Sequence, residues 1–447
     1  MKVVVVGAGP SGLAVALGLV QRGIHVTVLE RASFVGGRVR TLQLGDHRVE
    51  LGPAGILDDA PATRALLADL GSDAPKLVAS SPRVSRRWVV RGGRARVLPS
   101  SPLSLLFGRT LTFAEKRALL AERSVEPAMP PNETVADFAR RRFGASIASA
   151  FVQPMVVGVY GGDYEGLELD AAFPRLRALE QQHGSVVRGV VQEGKARRAR
   201  GEARPKLVTF EGGMGALPVA MARRLGDRVR LGCQARAIQR SSTWHVTTQG
   251  ETLEADHVVV ATEADVAATL LDPTLPFAAP MAAIASVSLA YGRADVAHAL
   301  DGFGLLCPRG EGYKTIGVLF MSSIFDARQA PPDEVLLRVM MGGPNDPDIH
   351  ALSDADILEV AHREMTALLG VRGAATLSHL QRWPLAIAQY TPGHVARAAE
   401  LDARAATLHL TVAGTALHGV GVNDVISEGA RIAERIAGRA AERSATP

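Results

Sequence analysis

The first thirty residues constrain this chain most. Val3–Val6 is a run of β-branched apolar residues that breaks into Gly7-Ala8-Gly9-Pro10-Ser11-Gly12. Leu13–Gln21 then reads as an apolar helix, His25–Leu29 as a second strand, and Glu30 closes the segment. Strand, Gly-x-Gly-x-x-Gly, helix, strand and acid, in that order, are what a βαβ dinucleotide site requires. Gly7 permits the tight turn out of the strand, Gly9 lets backbone approach a pyrophosphate, and Gly12 lets the helix pack closely on the strand. The helix N-terminus, with Ser11 in its first turn, points unpaired N–H groups at the phosphates. Glu30 stands at about the spacing at which an acid reaches a ribose 2′-OH, and an acid there disfavours the 2′-phosphate of NADP. The competing reading is a nucleotide-free Rossmann domain whose glycines serve packing only. These five elements in order, with the glycine turn beginning at residue 7, favour the dinucleotide.

Arg31 follows, then Gly36-Gly37-Arg38-Val39-Arg40-Thr41 and Glu50-Leu51-Gly52-Pro53. A dehydrogenase that binds only NAD has no need of this second glycine turn. In these segments the chain resembles the flavoprotein amine oxidase superfamily. The resemblance implies FAD as cofactor. Arg31, Gly36, Gly37 and Arg38 would then lie along the nucleotide, and Gly52 and Pro53 near the flavin.

The chain has 447 residues, enough for two or three domains. No stretch reaches the ~18–20 uncharged apolar residues of a spanning helix. The fingerprint inside the first apolar run argues against a signal peptide, so the chain reads as cytoplasmic with its native N-terminus. Its two cysteines, Cys233 and Cys307, are far apart and offer neither a disulfide framework nor a metal site. The net charge of +5 is compatible with an anionic ligand or an anionic membrane surface and demands neither. Aromatics are scarce and do not interleave with basic residues, which argues against nucleic acid.

The pattern along the chain predicts an α/β protein. It has a Rossmann-type FAD-binding domain, a mixed-sheet substrate domain and a helical insertion. The FAD domain is read in three segments, 1–80, 203–270 and 405–447. A hairpin at 81–100, around Gly92-Gly93, and the block 271–404 form the substrate domain. Residues 101–200 form the insertion, with helices at Phe113–Glu126 and Thr134–Arg142. Within it, Ser101–Leu111 reads either as buried core or as an interfacial patch on a membrane. The basic stretch 194–206 reads as a solvated linker, with a membrane-electrostatic role as the alternative. Short strands are expected at Arg228–Leu231, Ala235–Ile238, Ser286–Tyr291, Thr315–Phe320, Val335–Met341 and Leu408–Ala413. Helices are expected at Ala60–Leu70, Leu217–Leu225, Asp354–Leu369 and Val425–Arg439. Gly414, Gly421, Val422 and Asn423 belong to the turn before the last of these, with Asn423 or Asp424 as its N-cap. A helix starting beside a flavin aims its positive end at the ring and would stabilise reduced flavin by roughly 0.3–2 kcal/mol.

Three further motifs narrow the resemblance. They are Gly158-Val159-Tyr160-Gly161-Gly162-Asp163 with Glu180-x-x-His183-Gly184-Ser185-Val186, Trp383-Pro384-Leu385-Ala386-Ile387-Ala388-Gln389-Tyr390-Thr391-Pro392-Gly393-His394, and Gly419-Val420-Gly421-Val422-Asn423-Asp424. With them, essentially the whole chain resembles the protoporphyrinogen oxidase family. That implies oxidation of protoporphyrinogen IX to protoporphyrin IX. Six electrons would leave in three flavin turnovers, with molecular oxygen commonly the acceptor and hydrogen peroxide the product. By resemblance Arg87 binds a propionate, and Phe303, Leu306, Leu319 and Met340 line the apolar pocket. The Gly158 carbonyl accepts a pyrrole N–H, and the main chain at Ala235 recognises adenine. For the four apolar residues, plain core packing is the alternative. No side chain stands out as a general acid or base, so hydride loss from a meso carbon, aided by loss of a pyrrole proton, would be driven by aromatisation. Peripheral attachment to the inner face of the cell membrane and a homodimer are both compatible with the sequence.

One departure stands after Leu51-Gly52-Pro53. Many family members carry Asn or Arg there, whereas this chain has Ala54. The neighbouring reading is coproporphyrinogen III oxidation. More distant ones are an amine oxidase, a carotenoid desaturase or a flavin-free escort protein on the same fold.

Overall fold

The computed structural model describes residues 1–99, 108, 110–271, 279–325 and 329–445, with side chains to 442. The segment weighed as core or membrane patch therefore lies outside the described residues, apart from Gly108, Thr110 and Leu111; Leu111 is buried.

The valine run forms the strand Lys2–Val6 at the centre of a five-stranded parallel sheet. Its order in space is Val229–Arg230, His25–Leu29, Lys2–Val6, His257–Val260, Leu410–Val412. Central parallel strands are covered on both faces, which is why they read as unbroken apolar runs rather than alternating ones. The helix Pro10–Gln21 starts with proline at its first position, where the missing N–H is not needed. It packs against the C-terminal helix Val422–Ala445 through small residues. A Cβ on Gly429 would come within 2.7 Å of the Ala14 Cβ, and one on Gly18 within 2.7 Å of the Ala433 Cβ.

A second, seven-stranded mixed sheet runs Leu377–Ala388, Met281–Gly292, Glu334–Gly342, Thr315–Leu319, Gly304–Leu306, Trp88–Arg91, Arg94–Val97. All neighbours are antiparallel except Gly304–Leu306 with Trp88–Arg91. The expected hairpin is present, and Gly92 and Gly93, at φ of 61° and 69°, make the left-handed turn that the strand twist prefers. One face of this sheet, with Val287, Leu337, Val339 and Met341, packs on the helix Asp354–Leu369 in a closed core. The other face turns toward the dinucleotide unit.

Residues 113–199 are helical, as expected. The basic stretch does not form a linker throughout: the helix Val186–Ala199 carries Lys195, Arg197 and Arg198, and only 200–206 link it to the strand Leu207–Phe210. Gly189 and Gly194 disguised this helix. A Cβ at Gly189 would strike Leu179 at 2.7 Å, so the glycine there serves helix packing. Leu207–Phe210 pairs with Ile56–Leu57 and Leu77–Ala79, two short strands that stand on either side of the expected helix Ala60–Leu70. Elsewhere the expected elements stand with shifted ends; for example, Ala235 precedes its strand, which begins at Ala237. The last helix begins at Val422 rather than Val425 and runs beyond Arg439 to Ala445. Among the described residues no helix is long and apolar enough to cross a membrane.

Candidate functional site

Gly7 has φ of 107°, and a Cβ on it would lie 2.6 Å from the Ala261 carbonyl oxygen. Gly12 backs directly onto the Gly7 carbonyl, so neither position admits a side chain. Gly9 is different: a Cβ there would meet nothing within 4 Å. That open space above a helix N-terminus is what a pyrophosphate needs. Ser11 points a buried hydroxyl into this region with no partner among the described residues.

The second glycine turn closes on the first. Gly36 donates to the Ala8 carbonyl at 2.9 Å, and a Cβ on Gly37 would stand 3.6 Å from the Gly9 Cα. The C-terminal turn arrives from the other side, with a Cβ on Gly414 reaching within 4.0 Å of the Ser11 Oγ. The three segments around residues 7–12, 36–37 and 414 thus meet at one place.

The polar groups around it are ordered by the fold itself. The Glu30 carboxylate accepts from the N–H groups of Ala8 (2.8 Å) and Ala32 (2.9 Å), fixing it beside the glycine turn with lone pairs left for a hydroxyl donor. Arg31 is exposed. Arg38 hydrogen-bonds the Leu385 carbonyl and pairs with Glu263 at 3.2 Å, while its Nε is buried without a partner. Burial lowers the Arg38 pKa. Ala235 is buried between the first sheet and a three-stranded antiparallel sheet that begins with Ala237–Arg240. Unsatisfied buried donors and a hollow lined by glycine fit a dinucleotide cofactor.

At the C-terminal turn the expected cap differs. Gly421 occupies the N-cap position, and Asp424 reaches back to accept its N–H at 2.9 Å. Asn423 is already in the helix and ties it to the first segment, donating to the Leu57 carbonyl and accepting from the Thr63 hydroxyl, each at 2.8 Å. Val422 is buried.

Gly52 backs onto the Arg38 carbonyl with no room for a Cβ, which joins the Leu51-Gly52-Pro53 turn to the glycine lattice. The same turn is gripped from the seven-stranded sheet. Trp383 Nε1 donates to the Leu51 carbonyl at 3.0 Å. Arg338 donates to the Leu51 carbonyl at 3.2 Å, to the Gly52 carbonyl, and to Ser286 Oγ at 2.8 Å.

The proposed apolar residues lie on this same face of the sheet. Leu306 and Met340 both oppose Gly317, which puts no side chain between them, and Leu319 sits one row along, opposite Gly304 and Arg338. Phe303, Leu319 and Ala54 each pack against the buried cluster of Ala290, Met321, Ile324, Phe325 and Leu336. Arg87 is exposed and lies 5.6 Å from the centre of the Phe303 ring. Among the described residues it has no carboxylate partner, whereas the nearby Arg86 pairs with Asp301 and Arg309 with Asp163 (3.0 Å). Gly158 is exposed on the helix Gln153–Tyr160, 3.3 Å from Leu306 Cδ2 when given a Cβ.

Three side chains have roles here that the sequence reading did not assign. Tyr390 bridges the C-terminal turn, donating to the Thr415 carbonyl and accepting from the Gly419 N–H, each at 2.8 Å, and stacks on His394. Buried Glu428 accepts from the Gly414 N–H at 3.2 Å. Arg338 was visible as one charge inside the apolar run Leu336–Met341.

Flavin containing amine oxidoreductases, as a family, match residues 10–437. A coproporphyrinogen III oxidase from Propionibacterium freudenreichii subsp. freudenreichii is 32% identical, over 97% of this chain and 90% of its own. A protoporphyrinogen oxidase from Bos taurus is 31% identical, over 98% of each. A crystal structure of a candidate protoporphyrinogen oxidase from Exiguobacterium sp. 255-15 superposes with a TM-score of 0.82 at 22% identity, covering 98% of this chain and 99% of that one. The chain belongs to the FAD-binding flavin-containing amine oxidoreductases and, within them, to the protoporphyrinogen oxidase family.

Proposed function

We propose that this oxidase converts protoporphyrinogen IX to protoporphyrin IX, with molecular oxygen as the electron acceptor. The carrying observation is the sheet face on which Leu306, Leu319 and Met340 surround Gly317, with unpaired Arg87 beside Phe303. A flat apolar macrocycle with anionic propionates needs such a wall and a cation at its rim. Bound FAD supplies the two-electron acceptor, so six electrons require three turnovers and, with oxygen, give three hydrogen peroxide molecules. The chain's part is to bind and orient the ring. No acid–base pair on this face is needed, because aromatisation drives the reaction and positioning lowers its barrier.

Coproporphyrinogen III is the second reading, favoured by the 32% identical relative of that name. It carries two more propionates and would gain from more unpaired cations. Arg86 and Arg309 are already paired with carboxylates, which supports the first reading.

The test is porphyrin fluorescence in air with both porphyrinogens offered in parallel, corrected for non-enzymatic oxidation. Faster turnover of protoporphyrinogen IX is expected; preference for coproporphyrinogen III would replace the substrate, and no turnover of either would remove the proposal. Arg87→Ala should raise KM about tenfold or more, the loss of one charge-assisted hydrogen bond, and leave the flavin spectrum intact. An unchanged KM would take the propionate role from Arg87.

A further inference from the structure

Arg338 is a buried cation with no carboxylate in hydrogen-bond contact among the described residues. It stands in the strand Glu334–Gly342, opposite Leu319 on one side and Ser288 on the other. Its side chain is almost fully buried, and its guanidinium is spent on three neutral acceptors: Ser286 Oγ and the carbonyls of Leu51 and Gly52. The opposite charge acting on it is Glu50, which is itself held by the Thr41 hydroxyl (2.8 Å) and the Met214 N–H (3.0 Å). Burying a charge costs several kcal/mol when no close counter-ion offsets it. Holding the turn does not require that charge, because Trp383 grips the Leu51 carbonyl with a neutral donor.

The peptide geometry shows where the charge acts. There are no cis peptides in the described chain. In a trans peptide the N–H points opposite to the C=O. The Leu51 carbonyl faces Arg338 and the sheet, so the Gly52 N–H faces away from the sheet. That N–H has no partner among the described residues, and Gly52 packs on the Arg38 carbonyl beside the glycine lattice. A cation on the oxygen side of a peptide polarises it and makes its N–H a stronger donor.

We propose that Arg338 is a positioning residue for the flavin: acting through the Leu51–Gly52 peptide, it presents a polarised Gly52 N–H and a fixed positive potential to the cofactor, and so favours its reduced, anionic form. The inference rests on FAD filling the glycine-lined site and is independent of which porphyrinogen is oxidised.

The test reads the midpoint potential of the bound flavin by dye-equilibrated reductive titration of the purified holoprotein at pH 8, without any porphyrinogen. Arg338→Gln keeps donors and removes the charge. It should shift the two-electron equilibrium toward oxidised flavin at least tenfold, about 30 mV. Arg338→Lys should stay within threefold of wild type. Trp383→Phe removes the other donor to the Leu51 carbonyl and leaves the charge, so it should move the equilibrium less than twofold. Glu50→Gln removes the opposing charge and should shift it the other way, toward reduced flavin. That variant keeps the proposal falsifiable if Arg338→Gln does not fold. Unchanged potentials in Arg338→Gln, or in Glu50→Gln, would overturn it. So would equal shifts in Arg338→Gln and Trp383→Phe, since both would then report only a loosened turn. A protein that titrates as expected and still turns over no porphyrinogen would leave this inference standing and remove the substrate assignment alone.

Discussion

Glu50 carries a measurable pH signature. Burial, opposed by its hydrogen bonds from Met214 and Thr41 and by the positive charge of Arg338, pushes its pKa up from 4.5 to about 7. A carboxyl whose value is raised on folding is favoured in its protonated form. Its contribution is fully present below pH 4.5 and is lost as the pH rises through 7. The shift corresponds to about 3 kcal/mol between the two ends of that window. Glu50→Gln mimics the protonated form, so its melting temperature should match wild type near pH 4.5 and exceed it by several degrees at pH 8. A difference that stays constant across the window would show that Glu50 does not titrate there. At this scale the glycines were legible in the sequence, because a positive φ or a missing Cβ is a property of the residue type. No role was read for Arg338, since what that buried charge does is fixed by acceptors far off in sequence, such as the Gly52 carbonyl.

Among the elements, the helical region adds buried ion pairs to an apolar core that includes Val135, Phe138, Val156 and Leu179. Fully buried Arg142 donates to Glu122 (2.8 Å from Nε) and to the carbonyls of Val125 (3.0 Å) and Gly184 (3.1 Å). Glu122 also accepts from the Ser185 hydroxyl and the Val186 N–H (2.9 Å), where the helix Val186–Ala199 begins. Glu180 takes Arg141 at 2.6 Å and Arg177 at 3.2 Å. The Glu180–Val186 motif therefore marks a helix junction built on buried charge. Removing one partner of such a set leaves the other unpaired, which costs about 3–5 kcal/mol. Glu122→Ala should lose that much in urea unfolding, and Glu122→Ala with Arg142→Ala should lose less than the sum of the single variants. A loss below about 1 kcal/mol for Glu122→Ala would mean that the junction is held by packing alone.

The same scale explains where sequence patterns misled. Pro384 sits inside the twelve-residue strand Leu377–Ala388, where a proline would normally end a strand. This strand is the sheet's edge, and the register slips opposite Ala282–Ile284, so Pro384 needs no ladder hydrogen bond there. Periodicity within one segment cannot report an edge position. The parallel strands were legible because burial on both faces is written into the segment itself.

For the whole molecule, the cofactor site is where the sheets are tied together. Gly37 meets Gly9, Gly414 meets Ser11, Arg38 reaches across to Leu385 and Glu263, and Arg338 reaches back to Leu51 and Gly52. A ligand bound where they meet would hold all three glycine segments at once. FAD that binds only the folded state stabilises it by about 2.7 kcal/mol at a hundredfold excess over Kd. Stripping the flavin should lower the melting temperature, and re-adding it should restore it in proportion to the logarithm of its concentration. Hydrogen exchange locates the effect. In the apoprotein, residues 7–13, 36–39 and 414–425 should exchange faster together, while the helix Asp354–Leu369, whose core faces away from the site, should not change. If FAD slowed exchange only at 7–13, the second and third turns would not close on the cofactor. The convergence of the three segments would then be a packing feature of the fold and not its means of holding flavin.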